Sequence, residues 1–292
     1  MRTSRSSGAR TVFRAALVVA VAVVVVVAGV ALLFRQGVGP LPTPEGCEAK
    51  VNGTDVQLST EQAENAATIS AIAVARGMPA RAASIALATA MQESKLRNLD
   101  HGDRDSIGLF QQRPSQGWGT AQEIQNPYYA TNRFYDELQK VDGYQSMRIT
   151  EAAQRVQRSG FPEAYDGHAA DARTLASALT GYSPAAFSCV VHDAGGERAD
   201  QVRHDVVRAF GATVGRVSTA AGGRTLDVAV GSASPLADQR GWAVASYLVA
   251  HAARLQIATV SFDRRVWSAG TRSERGWRAS SKGSSTRVHV RL

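Results

Sequence analysis

From Ala15 to Phe34 the chain runs 20 residues without a charge, and only Gly29 falls outside the apolar set. At 1.5 Å per residue, a helix of that length crosses about 30 Å of hydrocarbon, so this segment cannot be part of an ordinary surface helix. Arg2, Arg5, Arg10 and Arg14 precede it and Arg35 alone follows closely. The positive-inside bias then predicts a single-pass signal anchor over 15–34, a basic cytoplasmic tail over 1–14, and everything beyond on the outer face of the membrane. The competing reading is a cleaved signal peptide, for which Gly29 to Ala31 offers a weak small-x-small site, but such peptides carry a shorter apolar core of about 7–15 residues.

The rest of the 292-residue chain leaves room for about two globular domains. Its formal charge of +8 hides an uneven distribution. Residues 1–35 carry +5, residues 36–194 carry −5 from 13 basic and 18 acidic side chains, and residues 195–292 carry +8 from 15 basic and 7 acidic. Such a composition excludes a wholly disordered chain, a collagen-like repeat and a small disulfide scaffold. In an exported chain two cysteines favour a bridge, here Cys47 to Cys189, the alternative being two separate buried thiols.

A Pro- and Gly-bearing tether is expected over 35–46. Residues 47–189 then read as an all-α domain. Ser59 and Gln62 form a capping box, Gly77 closes that helix and Pro79 opens an Ala-rich one. Asn126-Pro127 opens another, with Phe134, Leu138 and Val141 at helical spacing. Thr150 is expected to cap a helix ending at Gly160, and Pro162 to begin one stopped by Gly181. A linker is expected over 190–215, followed by an α+β domain over 216–292. Its strands are expected within 224–230, 257–262 and 287–292, and its helix over 235–255.

Glu93 ends an apolar helix just before a polar loop, Asn98 to Gly119. A carboxyl group half in apolar surroundings is expected to hold a proton more readily than a solvated one, which is what a general acid at a glycosidic oxygen requires. The run from Glu93-Ser94 through Ser106 and Gly108-Leu109-Phe110-Gln111 to Pro114 resembles the signature of the goose-type lysozymes and soluble lytic transglycosylases. Asn126 to Tyr135 and Ala152 to Tyr165 are similar to the later segments of those families.

The resemblance covers about 47–189 and implies a lysozyme-like fold with Glu93 as acid/base. It also implies that Ser106, Gln111, Gln112 and Tyr165 face the sugar. Phe110 replaces the usual Met, a volume-conserving change. Asp103 and Asp105 lie in a charged insertion and are expected to stabilise their own loop, paired with Arg97 or Arg104, the alternative being a second carboxylate for an inverting hydrolysis.

Gly223 to Val228, Trp267-Ser268, Gly276 to Arg278 and Arg287-Val288-His289 resemble the C-terminal domain of actinobacterial relatives of zinc D-alanyl-D-alanine peptidases. Two of that family's ligand positions hold Ala220 and Arg287 here, leaving Asp227 and His289 as a vestigial pair, fewer than the three protein ligands of catalytic zinc. No metal or other cofactor is expected. The expected partners are peptidoglycan glycan strands, anionic wall polymers and, through residues 15–34, the lipid bilayer, with no nucleic acid. The leading expectation is a membrane-anchored glycosidase cleaving the linkage between N-acetylmuramic acid and N-acetylglucosamine. Its rivals are a non-catalytic wall-binding scaffold and a zinc peptidase.

Overall fold

The computed structural model describes residues 6–35, 43–158, 163–196, 198–220, 222–281 and 283–292. The chain divides into two compact units, Met1–Pro44 and Glu45–Leu292. In the first, α1 (Ser6–Arg35) contains a 19-residue window, Arg14–Leu32, of mean hydropathy 3.1 with none of it buried. Length and composition therefore suit a membrane crossing, a property that single-pass anchors and signal sequences share. Most of the expected tether, like the helix boundaries at Gly160 and Pro162, lies outside the described residues.

The second unit opens with a hairpin of β1 (Gly46–Val51) and β2 (Thr54–Leu58), turned at Asn52-Gly53 with positive φ at both residues. That dipeptide is a strong hairpin signal, because both central residues of the tight turn need the left-handed region. The helical part comprises α2 (Thr60–Ala75), α3 (Ala80–Ser94), the single turn α4 (Ala121–Ile124), α5 (Pro127–Leu138), α6 (Ile149–Gln157) and α7 (Ala169–Leu179). The strand β3 (Phe187–Val190) then returns to pair with β1, giving an antiparallel sheet of order β2-β1-β3. Cys47 and Cys189 face each other across this pairing and are bridged.

The expectation of an all-α domain over 47–189 is corrected by this sheet. Its strands are only four to six residues long, and half their side chains are polar and outward-facing, so they carry little periodic signal. The Ser59 capping box, the Asn126 cap and the start of α3 after Pro79 fall as expected. Thr150 lies inside α6, whose N-cap is Arg148.

A further helix, α8 (Ala199–Phe210), occupies the stretch expected as a linker. Val202, Val206, Ala209 and Phe210 form its buried stripe, spaced i, i+4, i+7, i+8. Beyond it come β4 (Val217–Thr219), β5 (Thr225–Ala229), α9 (Pro235–Ala250), α10 (Ala252–Leu255), β6 (Thr259–Phe262), β7 (Arg265–Ser268), β8 (Arg278–Ala279) and β9 (Arg287–Arg291). The strands make one antiparallel sheet of order β4-β5-β9-β6-β7-β8, so the coarse α+β expectation for this half is met.

One continuous core runs through the whole second unit. The helix α9 is buried almost all round because one side meets β6 and β9 while the other meets α2 and α7. Trp242 on α9 stands edge-on to Phe262 and Trp277. Polar ties accompany the apolar ones. Trp267 and Trp277 donate their indole N–H to the carbonyls of Cys189 and Phe187, at 3.0 and 2.8 Å. Arg254 joins Glu64 of α2 to Asp205 of α8, both at 2.7 Å.

Candidate functional site

Glu93 sits half-buried in the last turn of α3. The helix stops because Lys95 and Leu96 turn left-handed, their N–H groups returning to Met91 O and Ala90 O. Ser94 is buried, and its hydroxyl lies 3.0 Å from Ala90 O and 2.8 Å from Leu109 O. The helix end is thereby pinned to the loop that carries Gly108-Leu109-Phe110-Gln111. Tyr165 approaches from the segment before α7 and donates its hydroxyl to Glu93 Oε1 at 2.8 Å. Its ring is 1% exposed, so the donor is held by packing as well as by the bond. Beside this contact, His168 Nε2 meets Gln92 Oε1 at 3.1 Å.

The loop is rigidly braced. Gly108 has φ +78° and its N–H donates to Leu99 O; a Cβ there would crowd Ile124 O. Phe110 is buried and stacks on Phe134 with ring centroids 4.7 Å apart, so it is a core residue. Gln111 has φ +47°, is half-buried, and turns its amide toward His101 O and Gly108 O at 3.3 Å each. Gln112 is 1% exposed and donates to Ala130 O, so its side chain is engaged inside the protein. Ser106 is buried too, accepting from Arg113 Nε at 2.8 Å.

The acidic insertion does brace its own loop, but through partners other than Arg97 and Arg104. Asp103 pairs with Arg113 at 2.7 Å, and Asp105 Oδ2 accepts from the backbone N–H of Ser115 at 2.8 Å. Those hydrogen bonds from Ser115 hold the Asp105 carboxyl below the ordinary carboxylate value. Both acids had counterparts within ten residues, but Arg113 is reached only because the Ile107–Gln112 bridge folds the loop back.

Of the expected sugar-facing residues, the structure brings Tyr165 to Glu93 and leaves Gln111 partly accessible, while Ser106 and Gln112 are inside. A cavity of about 610 Å³ opens behind the same loop, lined among others by Trp118, Arg133, Glu137, Arg155 and Arg158. Glu93 is not part of its wall. The neighbouring Gln157 donates to Phe110 O at 2.8 Å, which ties α6 to the loop.

On the second sheet, Asp227 of β5 and His289 of β9 are register partners and hydrogen-bond each other, Oδ1 to Nδ1 at 2.9 Å. Among the described residues no group of three or more His, Cys, Asp or Glu side chains is placed to hold a metal ion. Arg287, two residues along the same strand, adds a cation to the cavity that Asp227 and His289 line, so the residues present do not fit a zinc centre.

A partly buried network at the seam between helices and second sheet was not foreseen. Tyr128 OH meets Tyr247 OH at 2.7 Å, the Arg208 guanidinium lies 3.9 Å above the Tyr128 ring, and Tyr247 stacks on His251. Burial, with the Arg254 charge, pushes His251 down to about 3, and burial raises both tyrosines above their ordinary values. Nothing local in the sequence announces the pairing of Tyr128 with Tyr247, 119 residues away.

A helical half that presents one pinned glutamate, fused to a six-stranded antiparallel sheet, defines the class of architecture. Residues 193–290, the sheet-bearing half and about a third of the chain, match the family model described as VldE, C-terminal domain. The match begins inside the stretch expected as a linker, consistent with α8 belonging to this half. No curated protein matches the chain at a significant level.

Proposed function

We propose that the chain is a membrane-anchored, extracytoplasmic glycosidase acting on peptidoglycan, with Glu93 as its single acid/base. The observation that carries this reading is the contact of Tyr165 with Glu93, on a helix end that Ser94 ties to the Leu109 loop. One carboxylate oxygen is engaged by Tyr165, which restrains the carboxyl group and leaves the other oxygen to meet a substrate. In the forward step Glu93 protonates the bridging oxygen between N-acetylmuramic acid and N-acetylglucosamine, and the leaving sugar departs. The resulting carboxylate then takes the proton from the attacking hydroxyl, either the sugar's own 6-hydroxyl or water. A single carboxyl group suffices when the sugar supplies the nucleophile, and Asp103 and Asp105 are occupied by Arg113 and Ser115.

The test is mass spectrometry of purified cell-wall glycan digested by the full chain in detergent, with Glu93→Gln alongside. Release of muramyl products by the native chain and none by Glu93→Gln is expected, and the products' ring form reports which hydroxyl attacks. Equal release by the two proteins would refute the role of Glu93. The rival, a wall-binding scaffold without catalysis, is favoured by the burial of Ser106 and Gln112. It predicts co-sedimentation with insoluble wall and no soluble product.

A further inference from the structure

The central strand β9 reads Arg287-Val288-His289-Val290-Arg291, and alternation turns the two valines into the core while the three cationic-type side chains share the opposite face. Register extends that face across the sheet. Asp227 of β5, His289 and Ser261 of β6 are direct neighbours in one row, and Thr225, Arg291 and Thr259 form the next. Whereas α9 covers the other side of the sheet, this side opens as a cleft of about 690 Å³. Its wall is completed by the hydroxyl-bearing residues Ser280, Ser284 and Thr286.

The charges in this cleft are unbalanced. Asp227, the one carboxylate among its described lining residues, is taken by His289 at 2.9 Å. Neither Arg287 nor Arg291 makes an ion pair or side-chain hydrogen bond among the described residues, and both are exposed. Four strand residues apart, their Cα atoms lie roughly 13 Å from each other, so the two guanidinium groups bracket a chain rather than clamp one small ion. A guanidinium selects phosphate and carboxylate through paired N–H donors, and a wall of hydroxyls hydrogen-bonds polyols and sugars.

We propose that this open sheet face is a binding cleft for an extended polyol or sugar chain bearing oxyanions, phosphodiester or carboxylate. Arg287 and Arg291 hold successive anionic groups, and Thr259, Ser261 and Thr286 meet the hydroxyls between them. The proposal is independent of the glycosidase reading, since no residue of the Glu93 site takes part.

Binding of the full chain in detergent would be followed by calorimetry with three probes: poly(glycerol phosphate), polygalacturonate and neutral dextran. Binding of one or both charged chains, weakening as salt rises, and none of dextran, is expected; which charged chain binds identifies the anion. The Arg287→Gln/Arg291→Gln double variant should lose at least about tenfold in affinity, the loss of charge-assisted contacts, while melting as the native chain does. Asp227→Asn serves as the opposite control and should bind the charged chain no worse than the native protein. Failure of both charged chains to bind, equal binding of dextran, or undiminished affinity in the double arginine variant would each overturn the proposal. So would loss of binding in Asp227→Asn alone, which would mark the cleft as a cation site.

Discussion

The Tyr165–Glu93 contact can be tested without reference to activity. Tyr165→Phe keeps a ring that is 1% exposed and removes only the oxygen that lies 2.8 Å from Glu93 Oε1. A side-chain hydrogen bond contributes about 0.5–1.5 kcal/mol, and because the Tyr165 ring is packed inside the upper end, about 1.5 kcal/mol, applies. Single variants would mix this with other losses, since Glu93→Ala also removes stem packing. The double-mutant cycle of Tyr165→Phe with Glu93→Ala isolates the pair. Urea denaturation of the four proteins should give a coupling energy near 1.5 kcal/mol, of the sign that makes the double variant more stable than the summed losses predict. In thermal melts that coupling corresponds to about 3–6 °C for a unit of this size. Strict additivity would mean that the contact contributes nothing, and the positioning argument for Glu93 would fall with it.

Three further outcomes follow from the packing. Cys47→Ser/Cys189→Ser removes a cross-link spanning 142 residues, for which chain entropy gives about 5 kcal/mol; calorimetry should show a drop in Tm of about 10–20 °C, and a change within 3 °C would mean the two ends stay together without the bond. His251 is held neutral in the fold at about 3 against 6.5 for the free side chain, so its contribution is complete above about pH 6.5 and is lost as pH falls toward 3, by up to about 1.4 kcal/mol per unit. In His251→Phe, whose ring keeps the stacking on Tyr247, denaturation midpoints should fall less steeply between pH 6.5 and 4.5 than in the native chain; parallel slopes would show that His251 titrates freely. Gly181 has φ +82° and a Cβ there would run into Gln239 O, so Gly181→Ala should cost at least about 2 kcal/mol in urea titration, and a loss under 0.5 kcal/mol would contradict the close approach of α9.

What the sequence disclosed was local chemistry. The Ser59–Gln62 box and the Asn126 cap are short-range hydrogen bonds, so spacing alone located them. Glu93 stands out through the motif resemblance, and Tyr165 only because the later segment of that resemblance reaches it. The Asn52-Gly53 turn was visible but its flanking strands are too short to alternate convincingly, and without them the helical half reads as all-α. The burial of Gln112 and Ser106 depends on α5 and on Arg113 arriving in three dimensions, which no spacing encodes. The cleft was legible in principle, since Arg-Val-His-Val-Arg is a plain two-residue alternation. That alternation puts three polar side chains on one face, but the strands that flank them are set by long-range pairing, which spacing does not encode.

The two halves are bound together by a shared need to bury backbone and apolar surface. The strand β3 belongs to the small sheet, yet its carbonyls at Phe187 and Cys189 accept from Trp277 and Trp267 of the other half, and a buried carbonyl stripped of its donor costs about 1–3 kcal/mol. Likewise α9 closes the second sheet with one face and seals α2 and α7 with the other, so neither half could be removed without exposing a continuous apolar surface. This supplies a physical reason for the two halves to persist together. The core of the sheet-bearing half is the floor on which α2, and through it the Glu93 helix α3, is built, while its outer face, where the arginines of β9 point to solvent, is left open.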